Sequence, residues 1–516
     1  MERCLDGTAT GTNGWGTFNQ LIDHSNPSLG TFKQRYWYGT KYWNGPGSPI
    51  ILVSMAEQDA SGSNQTYLGL SSMPGVMAQA VGGAVIILEY RYFGASSPFD
   101  QLTVENLQYL TLDNLAKDQT YFANNFDPPF DHSGKSSPKN AAWVYVGAGS
   151  AGYLISYMDV VSPGTFWAYY GSGSSVQPIG DFWQYFTPVQ EAASANCSSD
   201  INLVIEYVDD ILLHGTEDEK LKLKDKFQLR DLTDADFACM FSVGPWQWQA
   251  ANFYDSTYGY SNSFLTLCDY VENAWPGSKQ PVPDAKGVGL EKAMEGYAKW
   301  WNDYWFPDFC SALFPYPDWQ GKYNVKCMQN SDPNNAQYKD LNVSNSINRQ
   351  YTWLQCNEPL EFWQDGPPPG QPALVSRLMT RDYSLQYCNY LFPPSEGGVA
   401  IQRGKTAADL VRVTGGWDRI NTTRVMYTNG QLDPWRDATM SSVVRPGGPL
   451  KSTPELPVRV VENGTHCSEL IVDNWAVNPA LKQLATEAVQ NMKHGKMETR
   501  KGPSATTSRE ANQPIS

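Results

Sequence analysis

Short, densely apolar runs spaced through the chain constrain its fold most strongly. Three come early, "SPIILVSM" (48–55), "GGAVIILEYRYFG" (82–94) and "AAWVYVGAG" (141–149). Two come late, "TTRVMYTNGQLDPW" (422–435) and "LPVRVVENGTH" (456–466). Their length and β-branched content read as strands buried on both faces, as in a mostly parallel sheet covered by helices. Polar stretches with helical spacing lie between them, such as "LTLDNLAKDQTYFANNF" (110–126), and strands alternating with helices predict an α/β fold.

Between about 175 and 410 the pattern changes. "DINLVIEYVDDILLHG" (200–215) and "GVGLEKAMEGYAKWWNDYWF" (287–306) carry helical spacing, broken by Pro/Gly loops. Seven of the nine cysteines (4, 197, 239, 268, 310, 327, 356, 388, 467) fall between 197 and 388. The expected organisation is therefore a first sheet half (1–175), a helical, disulfide-stapled insertion (176–410), a second sheet half (411–490) and a disordered tail (491–516). With 516 residues, 41% hydrophobic and 18% charged, the chain can bury a large core. Its 18 Trp and 29 Tyr fit either an aromatic core or an aromatic-lined cleft.

The net charge of −15 excludes a nucleic-acid partner, because there is no basic stripe to neutralise phosphates. It fits an acidic milieu, where carboxylates repel one another less. No run approaches the ~18 apolar residues of a membrane span. The cysteines have no C-x-x-C pair and no histidines at zinc spacing, so they predict disulfides with one thiol left over, and neither a metal nor a cofactor. Sequons at Asn64, Asn196, Asn342, Asn421 and Asn463 agree with a secretory route, to the exterior or to a vacuole or lysosome, although residues 1–18 hold no apolar leader core.

An α/β sheet presents reactive side chains on loops at the carboxyl ends of its strands. Of five histidines (24, 132, 214, 466, 494), only His466 follows a late strand. Asp433 ends the strand before it and can orient the ring. "GAGSAG" (147–152), after the third strand, is the turn on which a nucleophile would stand. The order turn, acid, base is that of α/β-hydrolases. Small residues two before and two after the tip let the neighbouring backbones approach. "A-G-S-A-G" meets this with Ser150 at the tip, and "G-A-G-S-A" meets it equally with Gly149. An A-x-S-x-G turn also serves esterases and lipases.

Long motifs resemble a known family: "GTFNQLIDHSNPSLGTFKQRYWY", "GGAVIILEYRYFGASSPF", "SPGTFWAYYGSGS", "CNEPLEFWQDG", "TGGWDRINTTR", "TNGQLDPWRD" and "GTHCSEL". From about residue 15 to 490 the chain resembles the prolyl-specific serine peptidases. These include lysosomal Pro-Xaa carboxypeptidase, dipeptidyl peptidase II and, most similar, the fungal acid prolyl endopeptidases. The resemblance implies an α/β-hydrolase fold with a large helical cap. It also implies cleavage after proline at acidic pH, with a proline-rich peptide or protein as substrate. Asp433 and His466 map onto the family's acid and base. Phe362 and Trp363 are implied for the substrate pocket, as are Glu57 and Tyr90 from two further loops.

Three loops depart from the family pattern. The family writes its turn G-x-S-Y-x-G, and gapless flanks set this on 147–152. Gly149 then takes the nucleophile position and Ser150 the tyrosine position, where Ser150 supplies only a backbone N–H for an oxyanion. Tyr90 replaces a histidine in "EYRYFG", and Ala56 a glycine in "SMAEQDA". Two readings stay open: a peptidase that uses Ser150 after a one-residue shift, or a protein that binds proline-rich peptides or a partner without cleaving.

Overall fold

The computed structural model describes residues 13–498 apart from 63, 252–262 and 423. Eight strands form one sheet: β1 (Asn13–Leu21), β2 (Thr31–Gly39), β3 (Ile50–Ser54), β4 (Ala84–Leu88), β5 (Trp143–Ala148), β6 (Ala168–Ser172), β9 (Val425–Gly430) and β10 (Val458–Val461). Their order is β1-β2-β4-β3-β5-β6-β9-β10. From β4 to β10 every neighbour pairs in parallel, while β1 and β2 add an antiparallel edge.

Alternation along the strands divides the interior into two cores. Ile50, Leu52, Ile86, Trp143 and Tyr145 face the core shared with α2 (Leu112–Asn125) and α3 (Ser150–Val161). Ile51, Val53, Val85, Val144 and Val146 face α1 (Met73–Val81) and α8 (Pro479–Glu498), through Met73, Met77, Leu481 and Leu484. Two-sided burial explains why these strands read as unbroken apolar runs. β1 gives no such signal, since "NGWGTFNQL" is polar and exposed on alternate residues. Its glycines have a steric reason: a Cβ on Gly14 or Gly16 would lie 2.4 Å from Tyr38 Oη or 2.5 Å from Tyr36 Oη of β2.

The chain leaves the sheet after β6 and returns at β9, and the intervening segment is mostly helical. It contains α4 (Ala195–His214), α5 (Leu290–Trp300), α6 (Arg349–Asn357) and α7 (Arg381–Leu391), with a small parallel pair, β7 (Ile179–Asp181) and β8 (Glu361–Trp363). Disulfides Cys197–Cys268, Cys310–Cys327 and Cys356–Cys388 staple this segment. Cys239 and Cys467 are both free thiols, so one more described cysteine stays unpaired than expected; Cys4 lies outside the described residues. Much of the aromatic content is core, since Trp143, Trp300, Trp301 and Trp319 are fully buried.

Two expectations need correction. Residues 491–498, expected in a disordered tail, continue α8 to Glu498; residues 499–516 lie outside the described residues. Asn196 is buried in α4 and its amide reaches Pro283 O at 3.4 Å, so it is a poor glycan acceptor. Asn342, Asn421 and Asn463 are exposed. No helix among the described residues is long and apolar enough to cross a membrane.

Candidate active site

The loops after β3, β5, β9 and β10 converge on the site. β5 ends in a tight turn whose tip is Gly149, with φ 53° and ψ −120°, and α3 starts at the next residue. Only glycine takes this left-handed backbone without strain. The Gly149 N–H donates to Ser172 O at 2.9 Å, which ties the tip to β6. The flanking small residues register the turn. A Cβ on Gly147 would lie 2.6 Å from Ala151 O, and one on Gly152 would lie 1.9 Å from Ser174 Oγ. A Cβ at Gly149 would instead meet only the His466 ring, with Nε2 at 3.5 Å. The tip therefore faces the imidazole and carries no side chain to offer it.

Ser150 opens α3, and its hydroxyl turns to the Glu57 carboxylate in the loop after β3. Burial raises the Glu57 carboxyl above its usual range, and the Ser150 hydroxyl works against that rise. Ser150's own N–H belongs to the first helical turn, where N–H groups lack intrahelical partners. Ala56, just before Glu57, has φ 56°, a left-handed backbone that favours glycine.

Asp433 and His466 stand on loops after β9 and β10. Asp433 is fully buried. Its Oδ1 pairs with His466 Nδ1 at 2.9 Å and accepts the Trp435 N–H at 2.9 Å, and its Oδ2 accepts from Asn429 Nδ2 at 3.2 Å. A Cβ on Gly430 would lie 2.2 Å from Gly464 O, so the two loops close only because glycine is there. Burial disfavours the imidazolium, but Asp433, by its charge and its hydrogen bond, outweighs it and holds His466 well above the ordinary histidine range.

Glu57, Gly149, Ser150 and His466 line a cleft of about 770 Å³. Its aromatic wall includes Phe362, Trp363, Tyr351 and Trp435. Phe362 meets Trp435 edge-on at 5.5 Å and Phe182 at 6.0 Å. Glu361 and Phe362 hold consecutive left-handed φ values of 53° and 57°, a strained pair at the cleft wall. Tyr90 does not line the cleft as expected; it is fully buried, and burial raises its phenol well above the usual range. Its neighbours in "EYRYFG" are structural: Glu89 pairs with Arg35, and Arg91 with Asp118. Sequence reasoning passed over Cys467. Its Sγ lies 3.5 Å from His466 Nε2, and the His-Cys dipeptide in "GTHCSEL" was the available signal. Among the described residues no group of three or more His, Cys, Asp or Glu could hold a metal ion.

A strand–turn–helix tip facing an Asp–His pair at the carboxyl ends of a parallel sheet has the architecture of an α/β-hydrolase. The family description "Serine carboxypeptidase S28" matches residues 20–474, and the chain belongs to that peptidase family. It is 37% identical to "Serine protease vicPa" of Bipolaris victoriae, over 90% of this chain and 85% of that one. It is 27% identical to a "Probable extracellular serine carboxypeptidase" of Arthroderma benhamiae, over 79% of this chain and 56% of that one. The human "Thymus-specific serine protease" is 23% identical, over 90% and 84%. Among solved structures, a serine hydrolase from Cycloclasticus zankles matches with a TM-score of 0.33 and 10% identity, over 94% of this chain and all of that one.

Proposed function

We propose that this chain is a peptide-binding member of the S28 family whose Ser150 forms no acyl-enzyme. The observation that carries this reading is Gly149 at the tip of the turn, 3.5 Å from His466 Nε2 at its Cβ position, while the Ser150 hydroxyl is engaged by Glu57. Covalent serine catalysis needs the hydroxyl within hydrogen-bond reach of the base. A step of one residue at a helix start turns a side chain by about 100°. The ligand is an extended, proline-containing peptide, with its proline ring against the aromatic wall at Phe362 and Trp363 and a carbonyl toward the Ser150 N–H. The disulfides and exposed sequons support a secreted or vacuolar location.

The test is incubation with a fluorophosphonate probe from pH 4 to 9, so that the range passes above the ordinary histidine value, together with calorimetric titration of a proline-ending peptide. Peptide binding without label on Ser150, unchanged by Ser150→Ala, supports the reading. Label on Ser150 that disappears in His466→Gln would mean that the turn slips and the chain is a working serine peptidase.

A further inference from the structure

We propose that Cys467 is a thiol nucleophile of this cleft, accepting the acyl group of a peptide or activated ester that no serine is placed to take. This rests on the reading above, in which Gly149 leaves His466 without a hydroxyl partner. Cys467 is a free cysteine that lines the cleft. Its Sγ lies 3.5 Å from His466 Nε2, a normal sulfur–nitrogen hydrogen-bond length, while Nδ1 of the same ring is fixed on Asp433. The three side chains thus form a Cys–His–Asp relay with the connectivity of a catalytic triad.

The sulfur is also close to the turn. Sγ reaches Ser172 O at 3.4 Å, and that carbonyl also accepts the Gly149 N–H. Thiol and tip therefore share one anchor at the end of β6. The left-handed backbone of Cys467, φ 51°, is strain held at this point of the loop. Gly173 leaves the room: a Cβ there would lie 2.9 Å from Cys467 Sγ, 3.0 Å from Asp433 Oδ2 and 3.0 Å from His466 Cε1. All three members of the relay pack on the face of one glycine.

The reaction balances without an external reagent. Above the raised His466 value, where Nε2 is unprotonated, the S–H proton passes to it as sulfur bonds to the carbonyl carbon. The bond to the leaving amine or alcohol breaks, and the leaving group takes that proton from Nε2. Water then hydrolyses the thioester, with His466 again receiving and returning a proton. Asp433 keeps the tautomer that aims Nε2 at the sulfur.

The experiment uses the full chain and p-nitrophenyl acetate, with acid quench, peptide mapping and treatment with neutral hydroxylamine, which cleaves thioesters and leaves oxygen esters intact. The expected result is one hydroxylamine-labile acetyl group on Cys467. It should be absent in Cys467→Ala and form about 100-fold or more slowly in His466→Gln, the size of a general-base contribution. Buried Cys239 serves as the internal control and should stay unmodified. Calorimetric binding of a proline-ending peptide checks that each variant is folded, and Cys467→Ser supplies a near-isosteric second variant. A folded, peptide-binding protein without acetyl on Cys467, or with acetylation independent of His466, overturns the thiol proposal and leaves the peptide-binding reading standing. A hydroxylamine-resistant acetyl on Ser150 overturns both.

Discussion

Gly149→Ser should convert this site into a serine hydrolase site. The new Cβ meets nothing closer than His466 Nε2 at 3.5 Å, which is ordinary contact, so the substitution needs no repacking. From that Cβ a hydroxyl can swing into the ~2.6–3.2 Å range of a nucleophile–base hydrogen bond. The cost is backbone strain, because a serine must hold φ 53° and ψ −120°. Such strain is on the order of 1–3 kcal/mol, and should appear as a lower urea midpoint at unchanged slope. Removing one triad member from a working enzyme costs about 10⁴–10⁶-fold, so restoring it here should raise seryl acylation by about 10³-fold or more. Because His466 holds its proton above the ordinary histidine range, the gain should grow as pH rises past about 6.5. The readouts are fluorophosphonate label on residue 149 and release of p-nitroaniline from a blocked prolyl substrate. A variant that folds and binds peptide, yet neither labels nor cleaves, would refute the assignment of Gly149 as the vacated nucleophile position.

Ala56→Gly should stabilise the fold by about 0.5–1 kcal/mol, since it relieves a left-handed alanine at φ 56°; an unchanged or lower urea midpoint would contradict this. Stability should fall as pH rises from about 4.5 to 7. Burial raises Glu358 from 4.5 to about 7, so in that window the unfolded chain releases a proton the folded chain keeps, a slope integrating to about 3 kcal/mol. His466, with its raised value, adds stability that is full below about 6.5 and lost above it, in the same direction. Glu358→Gln should lessen the slope between pH 5 and 7, the remainder coming from groups such as Asp365, which burial raises to about 8, and an unaltered slope would exclude Glu358 as a source. Glycopeptide mapping should find glycan on exposed Asn342, Asn421 and Asn463 and none on buried Asn196; an occupied Asn196 would require α4 to be modified before it packs.

The central strands were legible because burial on both faces leaves an unbroken apolar run, as in Ile50–Val53 and Val85–Leu88. β1 was not, since an edge strand with one wet face and two glycines under tyrosine rings has the local composition of a loop. β6, "AYYGS", is buried and central but too short and too poor in β-branched residues to stand out, and its glycine is needed because a Cβ there would lie 2.6 Å from Ser174 Oγ. Asp433 and His466 could be found because chain order and strand ends limit the candidates. The residues of "GAGSAG" alone left its register open and only the flanking motifs favoured Gly149, because the contact that packs Gly152 against Ser174 lies outside that stretch. Tyr90 was misread for the opposite reason: a motif position does not reveal whether a ring points into a cleft or behind it. Cys467 went unnoticed because counting cysteines sorts them into bonded and spare, and its importance here comes from the ring beside it.

The short loop that presents Asp433 is bolted to the helical insertion on several sides. Trp248 Nε1 donates to Leu432 O at 2.8 Å, Gln249 accepts from Trp435 Nε1 at 3.0 Å, and Arg436 grips Glu191 with contacts of 2.7 and 3.0 Å. Phe362 of β8 wedges against Trp435 from the insertion's other end. The roof of the cleft and the loop that orients the imidazole are thus one mechanical piece. Lifting the insertion away from the sheet would tear away the supports of the Asp433 loop. Any change that loosens the roof should be felt first at the proton on His466.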